Sequence, residues 1–289
     1  MVHFVSFFLC FVFLMGCQSP STSRLKSSEK IFPIKIVSLS PSTTEILALY
    51  SGPKFLKGRT QSCNYPEWVK NIPVVAFIKP NYEKLAEIAP THILYDAHLY
   101  SPYDIQRLHT IGAKLIPVHP LNLEDFFLLL KKIQIELPQV FSAEGYIHKM
   151  QSSLDDDSDP PHTHSPLIKV ALLYEDGLYR EYYMAGTQTF QADLLKKLGC
   201  KVVGPHSCRF KKISMESLIS LNPDLIFTVK EPSAIIQDPC LKSIHAVQQK
   251  QVYQVSPDLL HRVGGRVDQL IALFKHSLNR YKTHAIRKK

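Results

Sequence analysis

Three groups of residues in this 289-residue chain have side chains able to do chemistry and stand close together. His162 and His164 lie in the segment Asp155 to Pro166 (DDDSDPPHTHSP), beside four aspartates. Imidazole and carboxylate together can hold a divalent ion, but the segment has no further ligand, and its polar, proline-rich composition is that of a solvated linker. Tyr179, Tyr182 and Tyr183 fall in a loop-like stretch, Glu175 to Gly186. A tyrosinate there could ligate haem iron, whereas tyrosines on a surface loop need no such role. Gly264, Gly265 and Arg266 are the nearest approach to an anion-binding turn. No convincing strand precedes them, and they read more simply as the start of the last helix, Val267 to Tyr281. H-E-x-x-H, G-x-S-x-G and a glycine-rich phosphate loop are all missing from the sequence. The chain therefore reads as a binding module without a catalytic residue, a metal-ligand motif or a resident cofactor.

The cysteines add no zinc pattern. Cys10 and Cys17 belong to the N-terminal region, and Cys63, Cys200, Cys208 and Cys240 are widely spaced. Outside the cytoplasm a disulfide among Cys200, Cys208 and Cys240 competes with buried free thiols, and spacing does not choose between them. The net charge of +9 is concentrated toward the ends, in Arg24, Lys26 and Lys30 and in the tail Arg280, Lys282, Arg287, Lys288 and Lys289. Such ends read as solvated, and no nucleic-acid partner is expected.

Positioning any site falls to two sets of alternating strands and helices. In the first, Ile34 to Leu39 is an apolar strand run, and Ser40 to Thr43 opens the helix Thr44 to Tyr50. Strands at His92 to Tyr95 and Lys114 to Val118 alternate with helices at Tyr82 to Ile88 and Pro102 to Ile111, and a longer helix, Leu123 to Leu137, follows Asn122. The second set repeats this order. Ile34 to Val37 matches Ile168 to Ala171, and Asn81 to Leu94 (NYEKLAEIAPTHIL) matches Ser214 to Phe227 (SMESLISLNPDLIF), at offsets of 134 and 133 residues. Two motifs recurring at nearly one offset predict duplicated α/β lobes with parallel-rich sheets and a cleft between them. Between the sets, Val140, Ala143, Ile147, Met150 and Leu154 recur at helical spacing. They predict one long helix from Pro138, roughly 25 Å over its apolar run, joining the lobes as a strut.

The expected organisation is thus residues 1–17 as an export signal, 18–33 as a flexible tether, 34–137 as the N-terminal lobe, 138–157 as the inter-lobe helix, 158–167 as a linker loop, and 168–289 as the C-terminal lobe with its basic tail. The apolar run Phe7 to Met15 is far short of the roughly 18 to 20 residues that span a bilayer, which suits a signal. Its n-region is atypical, with His3 and neither Lys nor Arg. Leu14 to Cys17 (LMGC) resembles the lipobox of bacterial lipoproteins. That resemblance implies lipidation of Cys17 and attachment to a membrane surface outside the cytoplasm.

Ile36 to Leu47 (IVSLSPSTTEIL), Gly58 to Pro66 (GRTQSCNYP), Pro73 to Val75 and Asn81 to Pro90 (NYEKLAEIAP) resemble the helical-backbone substrate-binding proteins of ABC importers, nearest to the cobalamin receptor group with ferric siderophore and haem receptors beside it. The resemblance covers about residues 34 to 281 and is weaker beyond 170. It implies a receptor that hands cobalamin, haem or a ferric siderophore to permease subunits. It places ligand contacts at Tyr65, Phe77, Tyr183, Phe210, Asp258 and Arg262, types suited to a flat macrocycle, though each aromatic equally suits a core. Ser62, Leu259 and Leu260 depart from the pattern, standing where aromatics are usual. Glu83 and Glu216, at equivalent places in the two repeats, are implied to dock onto permease arginines, while their positions also suit helix capping. A zinc or manganese receptor, suggested by thirteen histidines, and a chelatase-like enzyme are the alternatives. The first requires His, Asp or Glu ligands to converge in the cleft.

Overall fold

The structure is a computed structural model that describes residues 33–155, 167–176 and 181–286. The expected signal, Cys17, most of the tether, the linker with His162 and His164, and Tyr179 lie outside them. In the N-terminal lobe the chain runs through β1 (Ile36–Ser38), α1 (Pro41–Ser51), β2 (Leu56–Thr60), β3 (Val74–Ala76), α2 (Tyr82–Ile88), β4 (His92–Asp96), α3 (Pro102–His109), β5 (Lys114–Val118) and α4 (Leu123–Glu136). The sheet order is β3-β2-β1-β4-β5, and every pairing is parallel. Ile36, Val37, Ile93 and Leu94 are all buried, as expected of parallel strands covered by helices on both faces. Because the strands run one way, the loops that follow all five begin at a single edge.

The connection to the second lobe differs from the expected strut. Pro138 does not open a helix. The amides of Val140 and Phe141 bond back to the Leu137 carbonyl at 3.0 and 3.1 Å, closing a turn on the end of α4. The Gln134 side chain then accepts from the Ala143 amide at 2.5 Å and donates to Glu144 at 2.6 Å. The helix α5 (Glu144–Asp155) therefore starts six residues later than the apolar spacing suggests, and is about 18 Å long. Val140 and Ala143 are buried as expected, but from the turn.

The C-terminal lobe holds β6 (Lys169–Asp176), β7 (Glu181–Ala185), α6 (Phe190–Lys197), β8 (Lys201–Val202), β9 (Phe210–Ile213), α7 (Met215–Leu221), β10 (Leu225–Thr228), α8 (Pro232–Ile236), α9 (His245–Gln248), β11 (Val252–Gln254), α10 (Pro257–His261) and α11 (Val267–Ile286). Its sheet runs β11-β10-β6-β7-β9, with β8 beside the start of β6. The pairings of β7 are antiparallel and the rest parallel. Tyr182 and Tyr183 thus sit on a strand rather than in a loop, and neighbouring side chains of a strand face opposite ways. Tyr182 is buried and donates to Asp238 at 3.0 Å, which removes it from any ligand role. Cys63, Cys200, Cys208 and Cys240 are free thiols, the first two buried, so no disulfide joins the last three.

The duplication extends to individual hydrogen bonds. Asn81 caps α2 and Ser214 caps α7, and each helix ends on a left-handed residue, Ala89 (φ 48°) or Asn222 (φ 43°), before a proline and a strand. The Lys35 ammonium reaches the Ile88 carbonyl at 2.9 Å and Lys169 reaches that of Leu221 at 3.4 Å. One buried leucine, Leu85 or Leu218, anchors each helix.

Tyr146 of α5 fixes the second lobe's last helix. Its buried hydroxyl accepts from the Val267 amide at 3.0 Å and donates to the Gly264 carbonyl at 3.3 Å, occupying an N-terminal donor of α11 that would otherwise lack a partner. Burial pushes this hydroxyl well above the usual tyrosine range. Gly264 and Gly265 lead directly into α11, whose first-turn amides bond back to the Arg266 carbonyl. They let the backbone press against α1, where a Cβ on Gly265 would lie 2.6 Å from the Leu49 side chain and 2.7 Å from the Glu45 carbonyl. Gly265→Ala is expected to destabilise the fold by about 1 to 3 kcal/mol through overpacking. Gly145→Ala in α5, where nothing lies within 4 Å, should be neutral or stabilising by up to about 1 kcal/mol. Urea unfolding of the two variants distinguishes close approach from simple glycine flexibility.

Candidate functional site

The β1 to α1 turn is built from hydroxyls. Ser38 lies 2.5 Å from Thr43 and accepts from Thr44 at 2.7 Å, and Thr44 and Thr60 both reach the Cys63 thiol at 3.0 Å. This ties the turn to the loop after β2. Arg59 gives that loop its shape by donating to the carbonyls of Thr60, Cys63, Lys70 and Ile72 at 2.8 to 3.1 Å. Gly58 is required because a Cβ there would meet Val75 at 2.9 Å. The two sequence motifs around Ser40 and Arg59 are therefore one scaffold, which presents Glu45, Ser62, Asn64 and Tyr65 to the second lobe.

Glu45 is only 1% exposed and meets two arginines of the C-terminal lobe. Arg266 binds it in bidentate fashion at 3.0 and 2.6 Å, and Arg262 at 3.2 Å. Arg262 also donates to the Asn64 side chain at 2.6 Å and the Ser62 carbonyl at 3.2 Å, and pairs with Asp258 at 2.7 Å. Asn64 closes the ring by donating to Asp258 at 3.3 Å. The Arg266 guanidinium lies 4.2 Å from the centre of the Tyr65 ring. Burial opposes the Arg266 charge, but the hydrogen bond and charge of Glu45 outweigh it and hold its pKa above the usual arginine value. Tyr65, Asp258 and Arg262 of the expected ligand set are thus brought together. Arg262 spends its donors on protein partners, and Asp258 keeps a side chain 39% exposed.

Tyr183 and Phe210 also converge, with two partners the sequence did not nominate. Tyr174 lies opposite Tyr183 in the β6 to β7 register, with ring centroids 6.2 Å apart, and His261 stacks edge-on against both Tyr174 (5.7 Å) and Phe210 (5.1 Å). Burial lowers the His261 pKa below the usual range against the pull of Asp258. The aromatic rings therefore carry no charge of their own at neutral pH, while the Tyr183 hydroxyl donates to Glu181 at 3.2 Å.

The carboxyl edge of the first sheet carries bare apolar side chains. Phe77 is 72% exposed and Ile78 89%, both just after β3, and Leu99 is 61% exposed just after β4. Phe77 is therefore no core residue. On the same edge Asp96, His98 and His119 stand together after β4 and β5. The His98 and His119 rings are 3.5 Å apart, and His119 Nδ1 is 3.5 Å from Asp96. Burial, then His98, and more weakly Arg209 of the other lobe lower the His119 pKa against the pull of Asp96. None of these three was nominated from sequence. The available signal was their place directly after two strands that the sequence did locate.

Two α/β lobes joined through one helix, with the carboxyl ends of their strands meeting, define a helical-backbone, class III periplasmic binding protein of ABC importers. The chain belongs to the periplasmic binding protein family, whose model matches residues 36–259. A curated relative, the uncharacterised ABC transporter substrate-binding lipoprotein YvrC of Bacillus subtilis, is 27% identical over 90% of each chain. Among solved structures, a protein of Staphylococcus epidermidis described as a possible iron-binding periplasmic solute-binding protein is 25% identical, with a TM-score of 0.70 over 84% of this chain and 98% of its own. The vitamin B12 binding protein BtuF of Vibrio cholerae shares the fold at 17% identity, with a TM-score of 0.71 over 86% and 97%. Among the described residues no helix is long and apolar enough to cross a membrane.

Proposed function

We propose that this protein is the substrate-binding lipoprotein of an ABC importer, and that it captures a metal chelate of the cobalamin, haem or ferric siderophore class for its permease. The observation that supports this reading is the set of bare apolar side chains on the carboxyl edge of the first sheet, Phe77, Ile78 and Leu99, taken with the aromatic cluster of Tyr174, Tyr183, Phe210 and His261 on the second lobe. Side chains left this exposed lower the free energy of the complex when a flat apolar ligand covers them. Asp258 and Tyr65 supply a polar rim. Cys17 would carry the lipid, in keeping with the relative described as a lipoprotein.

Capture is tested by titrating the protein with haemin, cyanocobalamin, a ferric catecholate and a ferric hydroxamate, read by ligand absorbance and by quenching of the single tryptophan, Trp68. One of them is expected to bind, and Phe77→Ala and Phe210→Ala should each weaken it by about 1 to 3 kcal/mol. Failure of all four to bind, or full affinity in the folded double variant, contradicts the reading.

Delivery is assigned to Glu83 and Glu216, both exposed in the first turns of the equivalent helices α2 and α7. A backbone amide, then the Ser214 hydroxyl, lower the Glu216 pKa below the usual carboxylate range, so it is charged at neutral pH. Two matching charges on two lobes suit a two-fold transporter. Replacing both by Gln should abolish uptake into vesicles holding the permease while leaving ligand affinity and melting temperature nearly unchanged. Intact uptake with stability lower by about 0.3 to 1 kcal/mol would leave the pair as helix-dipole partners alone.

A further inference from the structure

We propose that Asp96, His98 and His119 form a binding site for a first-row transition-metal ion, on the edge of the first sheet that faces the second lobe. Among the described residues they are the one group of three side chains whose donor atoms, one from each, lie within 4.8 Å of one another. The 3.5 Å between His119 Nδ1 and Asp96 Oδ1 matches the roughly 3.4 Å separating two ligands held about 2.1 Å from one ion at a tetrahedral angle. The carboxylate is already oriented, because its Oδ1 accepts from the His98 amide at 2.9 Å. Strand order supplies the rest. β4 and β5 are adjacent and parallel, with Asp96 paired to Val118, so residues just past their ends must come side by side.

The donor set selects the metal class. Two imidazoles and a carboxylate suit iron(II), cobalt, nickel or zinc, whereas magnesium and calcium favour oxygen donors. Three protein ligands leave coordination positions open to water or to another molecule's donor atoms. The metal is therefore either a hydrated ion or the centre of a chelate with vacant positions, completed by the protein. The chelate source rests on the receptor reading given above, whereas the site itself does not.

The test uses full-length, tag-free protein and two probes, cobalt(II) chloride and the cobalt(II) complex of nitrilotriacetate, an anionic chelator that leaves positions open. Binding is followed by calorimetry and by the visible cobalt spectrum. One ion per chain is expected. His98→Ala and His119→Ala should each weaken binding by at least the roughly tenfold that losing a mere outer-shell partner costs, and His98 is exposed, so its replacement leaves the fold intact. The two probes separate the sources. Tighter binding of the nitrilotriacetate complex than of hydrated cobalt identifies a chelate, and tighter binding of hydrated cobalt identifies the bare ion. Absence of binding by either probe, or affinity unmoved by both histidine variants, overturns the site. Haemin and cyanocobalamin titrations score the receptor reading separately, so either can fail alone.

Discussion

A single buried carboxylate, that of Glu45, governs how the two lobes meet. An ion stripped of water is unfavourable by several kcal/mol unless its partners are well placed, and here two arginines of the other lobe, Arg262 and Arg266, both reach it. Satisfying Glu45 therefore requires the lobes to be docked. The rest of the interface obeys the same demand. Gly264 and Gly265 have no side chains because α1 must come close, and Tyr146 holds the start of α11 at the position from which Arg266 extends. The short α5 alone would be a modest strut. Together with the Glu45 cluster it ties the lobes at two places, an arrangement that resists wide hinge bending.

That rigidity explains the division of labour at the strand ends. Close to the Glu45 cluster the polar residues are consumed by one another, which fixes Tyr65 and Asp258 but leaves Arg262 little to offer a ligand. To either side along the same edge the protein carries exposed apolar side chains, Phe77 and Ile78 after β3 and Leu99 after β4, and beside Leu99 the group Asp96, His98 and His119. An apolar surface beside nitrogen donors suits a ligand that is an organic framework around a metal. The aromatic cluster on the second lobe, neutralised at His261 by burial, faces such a ligand without adding charge.

Much of this was legible in the sequence, because the duplication is written in local chemistry. Cap, glutamate, leucine, proline and strand recur together, and the cap and proline are short-range preferences. What escaped was set by tertiary contacts. The apolar spacing from Val140 onward is real, but Gln134 and the Leu137 carbonyl claim the turn before α5, so burial there does not mean helix. The strands β3, β9 and β11 carry too few residues to show a period, β2 (LKGRT) is largely polar, and with β7 unseen Tyr182 and Tyr183 read as loop neighbours rather than opposite faces of one strand. His98 and His119 were missed because they are 21 positions apart in the chain, and only parallel pairing of β4 with β5 joins them.

The junction at Glu45 is tested most directly by urea unfolding of the wild type and Glu45→Gln, followed by the fluorescence of Trp68, the single tryptophan, beside unfolding by circular dichroism. Removing one partner of a buried ion pair leaves the arginines uncompensated, so the variant is predicted to lose about 3 to 5 kcal/mol of stability by both signals. A loss within about 0.5 kcal/mol, the range of an ordinary surface substitution, would contradict the account and leave the other contacts between the lobes, among them the shared apolar core at Phe126 and Phe190, to set how they meet.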